Sequence, residues 1–312
     1  MVHPTIEWYV MGPGVWISSF LSIVISFGVI IVYAFKNKKR MLSKASIYAY
    51  LIATSGIMVV FMHQFHFVKE KMSPFAPEFL QPLKTFSITK TCLYLEEFFH
   101  NIFNLLLMLD CGNRYILICM PHLKERLFNK RSIGMSFAVA VAVSSLLAGL
   151  SAKMESDTQA TYISYNFWKI SLERSPWFYC AIFKFLVSVL ICGTMLFFTI
   201  KVDISLKKSI QFHKRSNTNP AAVYKYGKVR YFSTAICMLM VAIDFVARNI
   251  LMGFEIRRHI LVTSLFYYPL ISTDGSVYRR EMVIAITKIS LMLLMSLKPG
   301  LYGLAYLWVK LP

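Results

Sequence analysis

Residues 177–200 read WFYCAIFKFLVSVLICGTMLFFTI, and Lys184 is the only charged side chain among them. A helix over this run would be about 36 Å long, because each residue of an α-helix rises about 1.5 Å. The hydrocarbon layer of a bilayer is about 30 Å thick. The run is therefore long enough and apolar enough to predict a membrane-spanning helix.

Seven runs in all meet or approach the length of about 20 apolar residues that a membrane helix needs. The third and the seventh also carry ionisable residues. In chain order the runs are 15–35, 46–67, 92–119, 133–151, 177–200, 231–254 and 282–309. We therefore predict an all-α membrane protein in which residues 1–312 form a single seven-transmembrane helix bundle.

The composition of the whole chain also indicates lipid as its solvent. Only 16% of the residues are charged, whereas soluble domains carry about 25%. The chain also holds 25 Phe, 17 Tyr and 5 Trp, too many for one aqueous core. A net charge of +19 would suggest nucleic acid in a soluble protein, but here most charges fall in short spacers. We expect the bilayer, and not nucleic acid, as the partner.

Sequence motifs of metal, nucleotide or hydrolytic chemistry are absent. The six cysteines show no CxxC spacing, and the chain has no HExxH, GxSxG or P-loop. We therefore expect no metal, no cofactor and no enzymatic activity.

The distribution of Lys and Arg predicts the orientation, since loops that face the cytoplasm collect these residues. Spacers 36–44, 114–131 and 201–230, with Lys310, hold 19 basic and 2 acidic residues, whereas the other spacers and the N-terminus hold 11 basic and 9 acidic residues. We therefore expect a short extracellular N-terminus and a very short cytoplasmic C-terminus. Spacer 201–230 is the most basic, and it is either a solvated loop near anionic headgroups or a contact surface for a cytoplasmic partner.

Two short motifs stand at the inner ends of the third and seventh runs. Residues 109–121 read LDCGNRYILICMP, and residues 298–302 read KPGLY. The first resembles the DRYIAICHP signature of rhodopsin-like (class A) G-protein-coupled receptors, with Asn113 in place of the acidic residue. The second is similar to the NPxxY motif of that family, with Lys298 in place of Asn. The chain thus resembles a divergent member, such as the nematode chemoreceptor-like branches.

The resemblance implies a plasma-membrane receptor that transmits the binding of a small molecule or peptide to a heterotrimeric G protein. It assigns coupling and activation to Asn113, Arg114, Tyr115, Pro299 and Tyr302. In the family, the acid before the arginine restrains it at rest. Because Asn113 is neutral and cannot form a charge-assisted pair, we expect Arg114 to be held less firmly and basal signalling to be raised.

A ligand site is expected in the outer half of the third run. Glu96 lies 18 residues before Arg114, about five helical turns nearer the outer face, where amine receptors of the family carry the acid that pairs with a ligand ammonium. His100 lies one turn deeper. Lys288 of the seventh run lies at a comparable depth and could neutralise Glu96 internally. A cation site and an internal ion pair therefore both stay open.

The family usually ties the outer end of its third span to the second outer loop by a disulfide. The resemblance implies that Cys92 and Cys180 are this pair, since both lie near the oxidising side. Two free, buried thiols are the alternative.

Charges within the runs are expected to face the bundle interior and to find partners, because a charge in lipid costs about 2.5–3.5 kcal/mol. The expected pairs are Asp244 with Arg248, Asp110 with Lys298, and Glu97 with Lys184 or water. Such charges also mark ion and substrate paths, so a transporter or channel is the alternative function. The chain shows no internal repeat of the kind that many transporter folds contain.

Overall fold

Helix accounts for nearly all of the chain that the computed structural model describes, namely residues 4–37, 44–72, 86–123, 130–164, 176–215, 220–247, 249–250 and 275–310. Seven helices follow one another in these ranges, and no strand occurs within them. Their bounds are α1 Pro4–Asn37, α2 Lys44–Met72, α3 Phe86–Cys119, α4 Lys130–Ser164, α5 Pro176–Arg215, α6 from Pro220 onward and α7 Gly275–Lys310. The all-α prediction is confirmed for this part of the chain, and each predicted run overlaps one helix.

The sixth helix has an irregular turn. It begins with Pro220–Tyr231, passes through a π-helical turn at Phe232–Ile236 and continues over 237–247. A π-helical turn is rare inside an α-helix and is often found at functional sites. This turn packs against both α5 and α7, so it lies where three helices meet.

The basic spacer 201–230 is mostly helix, not loop. Helix α5 continues to Arg215, fifteen residues beyond the end of the predicted run, and α6 begins at Pro220. At about 1.5 Å per residue, the 40 residues of α5 extend over about 60 Å, twice the thickness of a hydrocarbon layer. The apolar pattern marked only the lipid-length part of this helix, because charged residues such as Lys207 are equally compatible with a helix in water.

Helix α3 is the centre of the bundle. It packs against α2, α4 and α5, while α1 packs against α2 and α7, and α7 also contacts α2. The α3 side chains from His100 to Leu107 are all buried. Because one helix touches several others, polar groups on α3 can reach partners on more than one neighbour.

Helix α1 has an apolar face that is exposed and a polar face that packs inside the bundle, the reverse of a helix in a soluble protein. Trp16 and Phe20 are 53% and 67% exposed, whereas Ser18, Ser19 and Ser22 are no more than 6% exposed. A water-soluble protein rarely shows a large apolar surface of this kind, but lipid is a suitable solvent for it. Small polar residues between helices are typical of membrane helix packing.

Four helical segments are long and apolar enough to cross a membrane, which suggests a membrane protein. They are Tyr94–Cys119, Arg131–Lys153, Ile182–Lys214 and Tyr226–Ala247, and two shorter apolar segments are Trp16–Val32 and Ile47–Met62. Those six segments belong to α1 through α6, and these counts refer to the described ranges alone.

A proline interrupts the regular hydrogen bonding of α7, and α1 supplies a replacement. Pro299 lies inside the helix, where proline weakens the backbone ladder. The next residue, Gly300, donates its N–H to Ser22 Oγ at 3.3 Å, and Ser22 Oγ donates to the carbonyl of Ser296 at 2.6 Å. Ser22 is thus inserted between a donor and an acceptor that would bond each other in a regular helix.

A Gly300→Ala substitution is expected to destabilise the protein by about 1–3 kcal/mol, the usual range for overpacking a tight contact. A Cβ at this position would lie 2.8 Å from Ser22 Oγ and 2.9 Å from Ser22 Cα. The latter atom is backbone, so α1 must move. Gly193→Ala is the matched control, because a Cβ there meets nothing within 4 Å. Thermal unfolding of both purified variants tests this, and equal melting temperatures would contradict it.

Candidate functional site

A buried lysine lies at the centre of a polar cluster formed by α3, α6 and α7. Lys298 Nζ donates to Asn104 Oδ1 at 2.7 Å and lies 2.8 Å from Asp244 Oδ1. Asn104 Nδ2 donates to Asp244 Oδ2 at 3.1 Å, and His100 Nε2 lies 3.2 Å from Asp244 Oδ1. The Phe103 ring lies beside the ammonium, 5.1 Å from its centroid. We refer to His100, Asn104, Asp244 and Lys298 as the lysine cluster.

The four side chains of the lysine cluster are shielded from water, so they satisfy their charges and hydrogen bonds with one another. All four residues are at most 5% exposed, and a buried charge persists only when it is paired and hydrogen-bonded. His100 and Asn104 are one helical turn apart and so share one face of α3. The cluster therefore fixes how α6 and α7 are aligned against α3.

One expected ion pair is corrected by this geometry, and a second stays a prediction. Lys298 pairs with Asp244, not with Asp110. Asp244 is bound by groups from α3 and α7, and Arg248, its expected partner, lies outside the described residues. Position along the chain gave the depth of each charge in the bundle, but it did not tell which neighbouring helix each side chain faces.

A second polar cluster lies nearer the C-terminal end of α3. Asp110 and Arg114 form an ion pair one helical turn apart, and Tyr302 Oη donates to Asp110 Oδ2 at 2.9 Å. Tyr302 is 1% exposed, so its hydroxyl lies within the bundle. We refer to Asp110, Arg114 and Tyr302 as the arginine cluster. It joins α3 to α7 through one carboxylate.

The arginine cluster corrects the expectation that Arg114 is weakly held. That expectation considered only the adjacent residue, Asn113, whose neutral side chain cannot form an ion pair. Residues four apart on a helix face each other, whereas adjacent residues do not, and the residue four before Arg114 is Asp110. An acid that pairs with Arg114 is therefore present, one turn earlier.

Asn113 has a different environment. It is 4% exposed, and neither polar atom of its side chain has a hydrogen-bond partner among the described residues. Leaving a buried amide without partners usually costs about 1–3 kcal/mol. Tyr115, two residues later, faces α5, where its ring is stacked on Phe198 at 5.3 Å between centroids. Asn113 and Tyr115 thus flank the arginine cluster without joining it.

The residues expected to bind a ligand are brought together only in part. Glu96 is half-buried on α3, one turn before His100. His100 is turned toward Asp244 in the lysine cluster. The side chain of Lys288 lies outside the described part of the chain, so its pairing with Glu96 stays a prediction.

The expected contact between Glu97 and Lys184 is confirmed. Their charged atoms, Oε1 and Nζ, are 2.8 Å apart and link α3 to α5. Asn101 and Ser151 line a small cavity beside this pair, with room for about one water molecule. The pair is half-buried, so it stays accessible to a polar ligand or to water.

Cys92 is buried and forms no disulfide with any other cysteine among the described residues, and the side chain of Cys180 lies outside them. The disulfide between them stays a prediction. Among the residues with described positions, no group of three or more His, Cys, Asp or Glu side chains is placed to hold a metal ion.

Sequence reasoning missed the contribution of Asn104 to the candidate site. A signal was present, because Asn104 is a polar residue one turn from His100 within an apolar run, and such residues usually find polar partners inside a bundle.

No model of a known protein family matches this chain, and no curated protein sequence matches it either.

Proposed function

We propose that the protein is a seven-span plasma-membrane receptor that transmits an extracellular ligand signal to a heterotrimeric G protein. The observation that carries the proposal is the Asp110 carboxylate, which binds both Arg114 and Tyr302. These two residues belong to the two motifs that resemble class A receptors, 188 positions apart in the chain. Motifs that arose by chance would have no reason to share a carboxylate.

The two clusters give a physical route for the signal along α7. Lys298 and Tyr302 are one helical turn apart, so they lie on the same face of α7. Lys298 binds Asp244 of α6, while Tyr302 binds Asp110 of α3. A shift of α7 would therefore act on both clusters at once. A ligand near Glu96 and His100 could bias this arrangement through Asp244.

The proposed orientation places the N-terminus outside and the arginine cluster near the cytosol. The excess of basic residues in spacers 36–44, 114–131 and 201–230 supports it. The side chain of Arg114 is 15% exposed, so it is close enough to the surface to reach an intracellular partner once Asp110 releases it.

An Arg114→Ala variant is expected to reduce G-protein activation by about tenfold or more, since a charged hydrogen-bonding group contributes about 1.5–3 kcal/mol. The measurement is G-protein activation in cells, with and without a broad panel of small molecules and peptides, normalised to surface expression. Arg131→Ala is the matched control, because Arg131 is an exposed arginine at the start of α4. Equal signalling by Arg114→Ala and wild type would contradict the proposal.

A transporter or channel is the second candidate function. The observation that favours it is the pair of buried ionic clusters along α3 and α7, since charges within spans often mark ion paths. Solute uptake or a ligand-gated current that persists in cells without G proteins would favour this function over the receptor.

A further inference from the structure

Helices α5 and α6 are joined by a set of bonds separate from both clusters, twelve residues before the end of α5 and ten residues after the start of α6. Arg230 Nε donates to Asp203 Oδ1 at 2.6 Å, and Arg230 Nη2 donates to Asp203 Oδ2 at 3.3 Å. Thr234 Oγ1 donates to Asp203 Oδ1 at 2.9 Å. Arg230 lies just before the π-helical turn and Thr234 lies within it. The carboxylate of Asp203 on α5 therefore binds one residue just before this turn and one residue within it.

The charge of the surrounding segment makes Asp203 unusual. It is the only acidic residue in 201–230, which holds eight basic residues. Exposed lysines on α5, such as Lys207 and Lys208, and basic residues on α6, such as Lys228, repel one another across the helix pair. Asp203 supplies the one negative charge in this segment that opposes the repulsion, so its loss would favour separation of the two helices.

The ion pair between Asp203 and Arg230 is exposed enough to open and close reversibly. The side chains of Arg230 and Asp203 are 39% and 23% exposed, whereas those of Lys298 and Asp244 are 3% and 6% exposed. A partly exposed ion pair contributes at most about 1 kcal/mol, and breaking a buried pair costs about 3–5 kcal/mol. The contact can therefore open reversibly while the lysine cluster stays intact.

We propose that Asp203, Arg230 and Thr234 form a clasp that holds the π-helical turn of α6 against α5 in the resting state. Opening the clasp frees the inner end of α6 to move away from α5, with the turn as the hinge. The inference rests on the proposed receptor function for its consequence in signalling. Its structural content, that Asp203 restrains α6, is independent of that function.

Hydrogen–deuterium exchange of the full-length protein in lipid nanodiscs tests the restraint. In Asp203→Asn, the backbone amides of residues 220–236 are expected to exchange about two- to fivefold faster than in wild type, as expected for the loss of a partly exposed pair. Asp203→Glu keeps the charge and is expected to stay near wild type. Lys208→Gln is the matched control, because it removes an exposed charge of the same helix, five residues after Asp203, without touching the clasp. Unchanged exchange in Asp203→Asn would overturn the inference.

Basal G-protein activation of the same variants separates the two proposals. Faster exchange together with raised basal activation supports both of them. Faster exchange without any G-protein activation, in any variant or with any ligand of the panel, supports the restraint by Asp203 and counts against the receptor.

Discussion

A Lys298→Met variant is expected to lose about 3–5 kcal/mol of unfolding free energy, the usual effect of removing one partner of a buried ion pair. Asp244 would keep its charge in a site where its side chain is 6% exposed. The Asn104 amide donates to it and His100 Nε2 lies 3.2 Å from it, but within the described part of the chain only a protonated His100 would balance the charge. Thermal or chemical unfolding of the purified protein in detergent measures the loss.

The comparison with Lys184→Met isolates the effect of burial. Lys184 pairs with Glu97 at the same 2.8 Å, but the two side chains are 24% and 18% exposed. Water can solvate the remaining Glu97, so the expected loss is only about 0–1 kcal/mol. Similar losses in the two variants would show that the lysine cluster is not the dry ion pair that the geometry indicates.

The double variant Lys298→Met with Asp244→Leu is expected to regain most of the stability. Replacing both members of a buried pair with apolar residues of similar volume is often neutral or stabilising. The sum of the two single losses would then greatly exceed the loss of the double variant, which is the signature of direct coupling. A double variant as unstable as Lys298→Met alone would mean that Lys298 stabilises the bundle by other contacts.

The sequence was sufficient to predict the helices because their signal is local. The apolar residues of each run contact lipid or the core directly, so the composition of the run itself is enough to locate the helix. The ends of the helices were less predictable. Residues 201–215 of α5 carry a basic, water-compatible pattern, which suits a loop and a solvated helix equally well, and only the structure distinguishes the two.

Ion pairs within one helix were also easier to predict from the sequence than ion pairs between helices. The pair of Asp110 with Arg114 lies within one helix, so the four-residue spacing alone could have predicted it. The pair of Lys298 with Asp244 depends on how α6 and α7 are rotated about their axes, and hydropathy carries no such information. Glu97 with Lys184 was predictable because both lie at similar depths on the adjacent spans α3 and α5.

An Asp110→Asn variant is expected to raise ligand-free G-protein activation by about tenfold or more. The substitution keeps the shape of the side chain and can still accept a hydrogen bond from Tyr302, but it removes the charge that pairs with Arg114. Hydrogen bonds to charged groups contribute about 1.5–3 kcal/mol, and about 1.4 kcal/mol corresponds to a tenfold change in a two-state equilibrium. Ligand-free activation, normalised to surface expression, measures the effect.

Two further variants distinguish the charge of Asp110 from its neighbours. Tyr302→Phe removes only the neutral donor at 2.9 Å, so a smaller rise is expected, in proportion to about 0.5–1.5 kcal/mol. Asn113→Ala removes a side chain that has no hydrogen-bond partner among the described residues, so basal activation should stay near that of wild type. If Asn113→Ala raised activation more than Asp110→Asn, the adjacent residue would be the one that restrains Arg114. If Asp110→Asn raised activation more than Asn113→Ala, the residue that restrains Arg114 would be Asp110, one helical turn earlier on α3. At that position one carboxylate binds both Arg114 and Tyr302.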